Sequence, residues 1–467
     1  MKIFEAAELL QKGELSPVEL AKSVLDVIKD RNTEINAFIT VADAMSNAQK
    51  LGENTLNSPL WGIPVAIKDN ICTKDLLTTA GSRMLSEFVP CYDATVVERL
   101  KACKSVIVGK TNLDEFGMGS ECSNSYFGQT HNPINHLFVP GGSSGGSAAA
   151  VKMGMALGAL GTDTGGSIRL PAAFCGLYGL KPTYSLVSRY GLIAFASSLD
   201  CIGTLCQSVK DTAIMLEAIH GYDKRDATSK DIKGEYYNNL TSNIKGLKIG
   251  MPREFFENTE KSVREEVYKA AKNYESLGAK VEECSIKSLK YALGAYYVIS
   301  SAEASSNLSR FDGVRFTKRC EEYSTLEEMY IKTRSENFGD EVKRRIMLGT
   351  YVLSAAYYDK YYLKAKKAQS VIKNEFDSLF EKYDVLLTPV CSVPVWKKGQ
   401  MEEKSVYLND IYTASVSLAG LPAMSVPCGK DCNNMPVGMQ LIGKSFGEKT
   451  LLDVAWAYEE GGFYDEI

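Results

Sequence analysis

Histidine is scarce in this sequence, and so are the motifs that identify several common classes of enzyme. The 467 residues include only three histidines, and none of these lies in a signature of a Ser-His-Asp hydrolase. The 12 cysteines contain no CxxC pair, and in a long chain such scattered cysteines indicate reduced, mostly buried thiols in a cytoplasmic protein. Cys428 and Cys432 lie closest together, but no second cysteine pair or histidine cluster accompanies them, so we expect no metal site.

A strong net charge and long apolar runs are also absent. The net charge is −4, so no basic field over the whole surface attracts nucleic acid, and any RNA is expected to be held elsewhere. No apolar run approaches the roughly 20 residues that a membrane-spanning helix needs. The N-terminal stretch MKIFEAAELLQKGEL carries acidic residues and does not resemble a signal peptide. We therefore expect neither a membrane protein nor a secreted one.

Short apolar segments alternate with helical patterns along the chain. Ser16-Pro17-Val18-Glu19 combines an N-cap, a proline at the first helical position and a capping box, which predicts the start of a helix. Because strands alternating with helices favour layered architectures, the sequence predicts an α/β fold around a largely buried sheet. No stretch reads as a linker, so we predict a single domain over residues 1–467. Buried strands are predicted at Pro64–Lys68, Ser105–Gly109, Ala156–Leu160 and Asp384–Thr388, and a strand–helix–strand unit at Leu247–Gly250, Ser262–Leu277 and Lys280–Glu282.

Two loops rich in glycine and serine stand out. Residues 139–150 read VPGGSSGGSAAA, and residues 164–167 read TGGS. A phosphate cradle is disfavoured because neither loop has the lysine of a P-loop or the spacing of a dinucleotide fingerprint. Tight turns with serine caps are a structural alternative. The third interpretation is nucleophilic catalysis, in which a serine attacks and flanking N–H groups stabilise an oxyanion.

A serine nucleophile needs a base, and Lys68 is the candidate. It ends the apolar segment PVAIK, where burial would disfavour the charged ammonium and leave an amine able to accept a proton. This chemistry is that of the Ser-Lys variants of the catalytic triad. Taken alone, the same residue is equally consistent with a solvated strand end or with an ion pair to Asp69.

Three segments together resemble the amidase signature family: WGIPVAIKDN at 61–70, VPGGSSGGSAAAV at 139–151 and GTDTGGSIRLPAAFCGLYGLKPT at 161–183. Their order and spacing agree with the family pattern, since Lys68, Ser143 and Ser167 are separated by 75 and 24 positions. The resemblance is densest over residues 60–210, the expected catalytic core. It implies a mixed central β-sheet covered on both faces by helices.

The resemblance also implies a Ser–cis-Ser–Lys triad. Carried over, Ser167 is the nucleophile, Ser143 is the bridging serine that follows a cis peptide bond, and Lys68 is the base. Ser144 is implied as a supporting hydrogen-bond partner. The implied oxyanion hole consists of the backbone N–H groups of Thr164, Gly165, Gly166 and Ser167.

Within the family, five further segments resemble the glutamine-hydrolysing component of a tRNA-dependent amidotransferase. This resemblance implies a glutaminase that supplies ammonia for converting Glu-tRNA(Gln) to Gln-tRNA(Gln). It also implies a heterotrimer with the B and C subunits of the amidotransferase, in which the B subunit uses ATP and Mg and the present chain needs no cofactor. The five segments are 114–128, 188–203, 302–316, 341–354 and 409–429.

A glutamine pocket is expected in residues 290–430, which would also face the partner subunits. Glutamine carries an α-carboxylate, which suits a guanidinium, and an α-ammonium, which suits a carboxylate. Arg345 and Asp410 are the candidates for these two roles, and Tyr297 and Met118 are expected to complete the pocket. Arg344 is the alternative to Arg345, and a solvated helix face paired with Glu341 is a structural alternative for both arginines. Asp410 is equally placed to cap a helix that begins near Ile411.

Two other classes of function share these motifs. A stand-alone amidase for other carboxamides would have the same triad, but an enzyme for apolar amides has no use for the charge pair of Arg345 and Asp410. A non-catalytic scaffold is the second alternative, and it has no reason to keep Lys68 beneath two serine loops.

Overall fold

One mixed β-sheet runs through the molecule. The computed structural model describes residues 1–52 and 58–464, and all eleven strands of these residues lie in one sheet, in the order β1-β3-β2-β4-β6-β5-β10-β11-β9-β7-β8. The strands are β1 Phe38–Val41, β2 Pro64–Lys68, β3 Val106–Thr111, β4 Gly158–Asp163, β5 Tyr178–Lys181, β6 Cys201–Cys206, β7 Lys248–Pro252, β8 Lys280–Cys284, β9 Val385–Pro389, β10 Ala423–Lys430 and β11 Pro436–Gly443.

Helices surround this sheet. Every residue of β2, β3, β4 and β6 is buried, and because side chains alternate between the two faces of a strand, both faces of the sheet are covered at these strands. The helices are α1 Ile3–Lys12, α2 Pro17–Ile35, α3 Ala44–Gln49, α4 Thr95–Ala102, α5 Gly145–Lys152, α6 Arg169–Cys175, α7 Val209–Ile219, α8 Lys261–Ser276, α9 Ala292–Asn307, α10 Leu326–Asn337, α11 Asp340–Leu353, α12 Lys364–Leu379, α13 Glu403–Asn409, α14 Ile411–Ala419 and α15 Glu448–Glu460. The predicted α/β fold with a mixed central sheet is therefore confirmed.

The predicted elements appear with small changes at their ends. Ser16 caps α2 with the expected capping box, in which its side chain accepts from the Glu19 N–H. The predicted strand–helix–strand unit is β7–α8–β8, and β7 and β8 pair in parallel. Strand β4 begins two residues later than predicted, at Gly158, and continues to Asp163, so its last residues reach the edge where the chemistry is expected.

Strand β2 and its two neighbours determine where the candidate base lies. β2 runs parallel to both β3 and β4, with Ile67 opposite Leu160. The carboxyl ends of parallel strands meet at one edge of a sheet, so Lys68 at the end of β2 lies beside Thr162 near the end of β4. The loop that follows β4 contains Ser167, which brings the second glycine-serine loop to the same edge.

The cysteines are unpaired, and the described helices are unsuited to crossing a membrane. All twelve cysteines are free thiols, and most of them are buried, as predicted. Over residues 1–52 and 58–464, no helix combines the length and apolar character that crossing a bilayer requires.

Candidate active site

Lys68 is fully buried and lies among three hydroxyl groups. Its Nζ is 2.7 Å from Ser143 Oγ, 2.9 Å from Ser144 Oγ and 2.8 Å from Thr162 Oγ1. The two structural alternatives for this residue are therefore wrong. It is not a solvated strand end, and Asp69 instead lies near a second buried lysine, with its Oδ1 at 3.6 Å from Lys110 Nζ.

The surrounding hydrogen bonds select one serine as the partner that can donate a proton to the amine. Ser144 Oγ donates to the Thr162 carbonyl at 3.1 Å and accepts from the Thr162 N–H at 3.2 Å, so it can only accept from Lys68. Ser143 Oγ has Lys68 as its hydrogen-bond partner. A neutral amine offers one lone pair, and of the two serines only Ser143 is placed to donate its hydroxyl proton to it.

The environment also favours the neutral amine. Burial lowers the pKa of Lys68 to about 7, while the nearby acidic groups of Cys122, Asp114, Asp163 and Asp200 act to raise it. Lys68 is therefore uncharged in a large fraction of the molecules near neutral pH. A base with a pKa near the operating pH is well suited to proton transfer.

The first glycine-serine loop presents Ser143 to Lys68. The peptide bond between Gly142 and Ser143 is cis, as the family resemblance implied. A side chain at Gly142 would place its Cβ 2.2 Å from Asp114 Oδ2, so only glycine fits there. The Ser144 N–H donates to the Ser167 carbonyl at 3.1 Å, which fastens this loop to the second one.

The second loop is held by a buried ion pair that the sequence analysis did not single out. Asp163, the last residue of β4, accepts two hydrogen bonds from Arg169, from Nε at 2.9 Å and from Nη2 at 2.8 Å. Both side chains are fully buried. Arg169 also donates to the Thr413 carbonyl at 3.0 Å and to Gln440 Oε1 at 2.7 Å, which ties the loop to α14 and β11.

The predicted oxyanion donors lie on this same loop. The Gly166 N–H donates to Asp163 Oδ1 at 2.8 Å, so an oxyanion would have to share this group with the carboxylate. Thr164 Oγ1 donates to Asp200 at 2.7 Å, which orients the start of the loop. Gly166 has φ +138°, and a Cβ there would lie 2.3 Å from Thr413 Oγ1, so this position requires glycine. The role of Thr164, Gly165, Gly166 and Ser167 as an oxyanion hole stays a prediction.

A polar cleft brings the distant candidates together. Ser167 lies in its wall, together with Met118, Arg345 and Asp410. These residues come from four separate parts of the chain. Tyr297 lies behind this wall, where its hydroxyl donates to Asp410 Oδ2 at 2.5 Å, and the neighbouring Tyr296 lines the cleft instead. Tyr296 was missed in the sequence because nothing in its local pattern separates it from Tyr297.

Asp410 faces the cleft although it also stands at the start of a helix. It occupies the N-cap position of α14, but its side chain makes no capping hydrogen bond. Its carboxylate accepts from Ser120 Oγ at 3.2 Å and from Tyr297. Burial raises the pKa of Asp410 to about 6, while the Tyr297 hydrogen bond and the charge of Arg345 act to lower it. At neutral pH the carboxylate is therefore mostly ionised and able to bind a cation.

The two neighbouring arginines differ in position. Arg345 is buried in the wall of the cleft, and its guanidinium lies 4.5 Å from the centre of the Tyr297 ring. Its Nη1 is buried without a hydrogen-bond partner among the described residues. Arg344 has a side chain that is 44% exposed and is bound to Glu341. The geometry therefore favours Arg345 as the group that meets an anion in the cleft.

The described part of the chain has no cluster of metal-binding side chains, and its one P-loop-like segment has the wrong conformation. No group of three or more His, Cys, Asp or Glu side chains there is arranged to hold a metal ion. Residues 438–445, GMQLIGKS, do fit the P-loop pattern, but Gly438 to Gly443 lie in the extended strand β11, which pairs with β10 and β9. A strand paired on both edges cannot wrap around a phosphate.

Comparison with known proteins agrees with this geometry. A model of the Amidase family matches residues 19–452. The chain belongs to the amidase family. The A subunit of glutamyl-tRNA(Gln) amidotransferase from Halothermothrix orenii is 50% identical over 463 residues, which cover 98% of this chain and 97% of the relative. The corresponding protein of Lachnospira eligens is 51% identical over 466 residues, again covering 98% and 97%.

Solved structures of amidase-family proteins share the fold. The crystal structure of the A subunit of glutamyl-tRNA(Gln) amidotransferase from Thermotoga maritima matches with a TM-score of 0.83 and 42% identity, over 98% of this chain and 94% of that one. A bacterial aryl acylamidase of the amidase signature family matches with a TM-score of 0.87 but 23% identity, over 99% and 96% of the two chains, which shows the fold alone. The family inferred from the three motifs is thus confirmed.

Proposed function

We propose that this chain is the glutaminase component of a glutamyl-tRNA(Gln) amidotransferase. The observation that carries the proposal is the pair of opposite charges, Arg345 and Asp410, in the wall of the same cleft as Ser167, with Arg345 buried there. Such a pair matches the α-carboxylate and α-ammonium of a free amino acid. Relatives about half identical over nearly the whole chain are named as the A subunit of this enzyme, which supports the same substrate.

The proposed reaction begins with proton transfer along the three triad residues. Neutral Lys68 takes the proton of Ser143 Oγ, and Ser143 takes that of Ser167 while Ser167 Oγ bonds to the side-chain amide carbon of glutamine. The carbonyl electron pair moves to oxygen, where N–H groups of the second loop stabilise the negative charge. Loss of one such donor typically costs about 3–4 kcal/mol of transition-state stabilisation.

Collapse of this intermediate releases ammonia. The C–N bond breaks, Ser143 gives its proton to the leaving nitrogen, and Lys68 returns a proton to Ser143. A glutamyl ester remains on Ser167. Water then loses a proton to the same relay and attacks the ester, so that glutamate leaves and Ser167 regains its hydrogen.

The ammonia is proposed to serve a second reaction on partner subunits. The name of the relatives implies a complex with more than one subunit, and we propose the B and C subunits of the amidotransferase as the partners. Conversion of Glu-tRNA(Gln) to Gln-tRNA(Gln), with its ATP and Mg, is assigned to the B subunit. The net charge of −4 on this chain agrees with the tRNA being bound mainly elsewhere.

The test is glutamine hydrolysis by the purified chain, alone and with the co-expressed B and C subunits. We expect ammonia release that rises with Glu-tRNA(Gln) and ATP in the complex, and its loss in Ser167→Ala with the complex intact. A stand-alone amidase would instead hydrolyse other carboxamides and gain nothing from the partners, and a scaffold would assemble without any hydrolysis.

A further inference from the structure

Glu341 lies behind the charged end of the cleft, in the first turn of α11. Its side chain is only 14% exposed and accepts hydrogen bonds from two arginines of the same helix. Oε1 accepts from Arg345 Nε at 2.6 Å, and Oε2 accepts from Arg344 Nε at 2.8 Å. The pairing with Glu341 that the sequence suggested is therefore present. It is buried for Arg345, whereas Arg344 is 44% exposed.

The contact with Glu341 determines which edge of Arg345 remains available. A guanidinium presents Nε and two Nη groups in a rigid planar fork. Glu341 occupies Nε, the Tyr297 ring lies against the guanidinium, and Nη1 is left buried without a partner in the described residues. An unpaired buried donor of this kind is costly unless a ligand satisfies it, and a carboxylate satisfies it best.

Glu341 also contacts the segment that leads to Asp410. Oε2 accepts from the Tyr407 hydroxyl at 3.0 Å. Tyr407 belongs to α13, which ends at Asn409, so Asp410 follows three positions after this contact. One carboxylate thus holds both the residue proposed to bind the α-carboxylate and the segment that carries the residue proposed to bind the α-ammonium.

We propose that Glu341 is a positioning residue that makes the cleft specific for a zwitterionic amino-acid head group. The inference rests on the proposed glutaminase function. Within the group formed by Arg344, Arg345, Glu341 and Asp410 the two positive charges equal the two negative ones, so a bound zwitterion leaves the group neutral. Without Glu341, Arg345 loses the hydrogen bond that orients it and the group gains a net positive charge, which weakens the binding of the ammonium group.

The test compares Glu341→Gln with the wild type in the complex with the B and C subunits. The glutamine amide keeps one acceptor oxygen but loses the charge and the second acceptor. We expect the KM for glutamine to rise about tenfold or more, as loss of a charge-assisted hydrogen bond predicts, with kcat changed little. Asp340→Asn is the matched control, because Asp340 is the adjacent acid, is fully exposed and pairs with Lys343 on the surface.

A second measurement separates positioning from a general structural role. Phenylmethanesulfonyl fluoride reacts with an activated serine and has no amino-acid head group. We expect it to inactivate Glu341→Gln at the wild-type rate, while the glutamine concentration that protects half of the enzyme rises about tenfold. Glu341→Asp, which keeps the charge on a shorter side chain, should fall between the two.

The possible outcomes distinguish the two proposals. If the variant reacts slowly with the sulfonyl fluoride and loses kcat and KM together, Glu341 supports the fold rather than the head-group site. If KM and protection stay at wild-type values, Glu341 forms an ion pair without a role in binding. If the wild-type complex neither hydrolyses glutamine nor is protected by it, the proposed function itself is overturned.

Discussion

The chemistry proposed here depends on the charge of one side chain. Burial lowers the pKa of Lys68 to about 7, so protonation below this pH removes the lone pair that accepts the Ser143 proton. We predict that kcat/KM for glutamine falls about tenfold per pH unit below pH 7. The fall should steepen below pH 6, where Asp410, with a pKa of about 6, also becomes neutral.

Initial rates of ammonia release between pH 5 and 9 measure this profile. In Asp410→Asn the steeper part should be reduced while the break near pH 7 remains, since Lys68 still titrates there. A profile that stays flat from pH 8 down to pH 6 would exclude an uncharged Lys68 as the base.

The same pKa makes a prediction about stability. The folded state binds a proton on Lys68 only below about pH 7, whereas an unfolded lysine binds one up to its ordinary pKa of 10.5. Stability therefore rises with pH between these values, by about 1.4 kcal/mol per unit from this group. Lys68→Met lacks this contribution, so its stability relative to the wild type should decrease by that amount per unit between pH 7.5 and 9.

Urea unfolding of both proteins across this range provides the measurement. The comparison with the wild type cancels the other buried lysines, which titrate in both proteins. Parallel stability curves for the two proteins would mean that the folded state does not perturb Lys68. The variant should be inactive at every pH, because methionine cannot accept a proton.

At the scale of elements, the pair Asp163 and Arg169 fixes the nucleophile loop between β4 and α6. Both are fully buried and joined by two hydrogen bonds. We predict that Arg169→Met lowers the free energy of unfolding by about 3–5 kcal/mol, because it leaves a buried carboxylate without its partner. Asp163→Asn in the same protein should restore part of the loss, since the carboxylate is then gone.

Chemical unfolding of the single and double variants tests this coupling. The control is Arg31→Met, since Arg31 pairs with Glu34 on the surface at 57% exposure, and its loss should cost less than about 1 kcal/mol. Equal losses for Arg169→Met and Arg31→Met, or a double variant no better than the single one, would contradict the role of the buried pair.

Elements with local signals were predictable, and contacts across the chain were not. The capping box at Ser16 and the apolar segment that ends in Lys68 can be read from neighbouring letters, because caps and strand periods are local. The bonds from Arg169 to Thr413 and Gln440 span 244 and 271 positions, and no local pattern reports them. Asp410 illustrates the limit, since a helix start predicts a cap whereas tertiary contacts turn the side chain into the cleft.

The family motifs predicted site residues that local patterns could not identify, but only at positions within the motifs. They identified Lys68, Ser143 and Ser144, which the structure brings together. Whether Arg344 or Arg345 faces the cleft depends on how α11 is rotated about its axis where it packs against α9. The run of basic residues at 343–345 does not predict this rotation. The roles of the triad residues and the single domain over residues 1–467 stay predictions.

At the scale of the whole molecule, the cleft is assembled from distant segments. Ser167 follows β4, Arg345 lies on α11, and Asp410 joins α13 to α14. A ligand that binds all three connects parts of the chain that separate on unfolding. Binding should therefore stabilise the whole fold, by about 2.7 kcal/mol at a glutamine concentration 100 times Kd.

The protein for this measurement is Ser167→Ala, which keeps the charged groups of the cleft and cannot consume the ligand. For a chain of this length we predict that glutamine raises Tm by about 2–3 °C in a single transition, because the unfolding entropy scales with chain length. Butyramide, which has the amide but neither charged group, should cause no shift at the same concentration, and Arg345→Gln should abolish the shift with glutamine. An equal shift with butyramide would show that the amide alone is recognised, and the proposed roles of Arg345 and Asp410 would then be wrong.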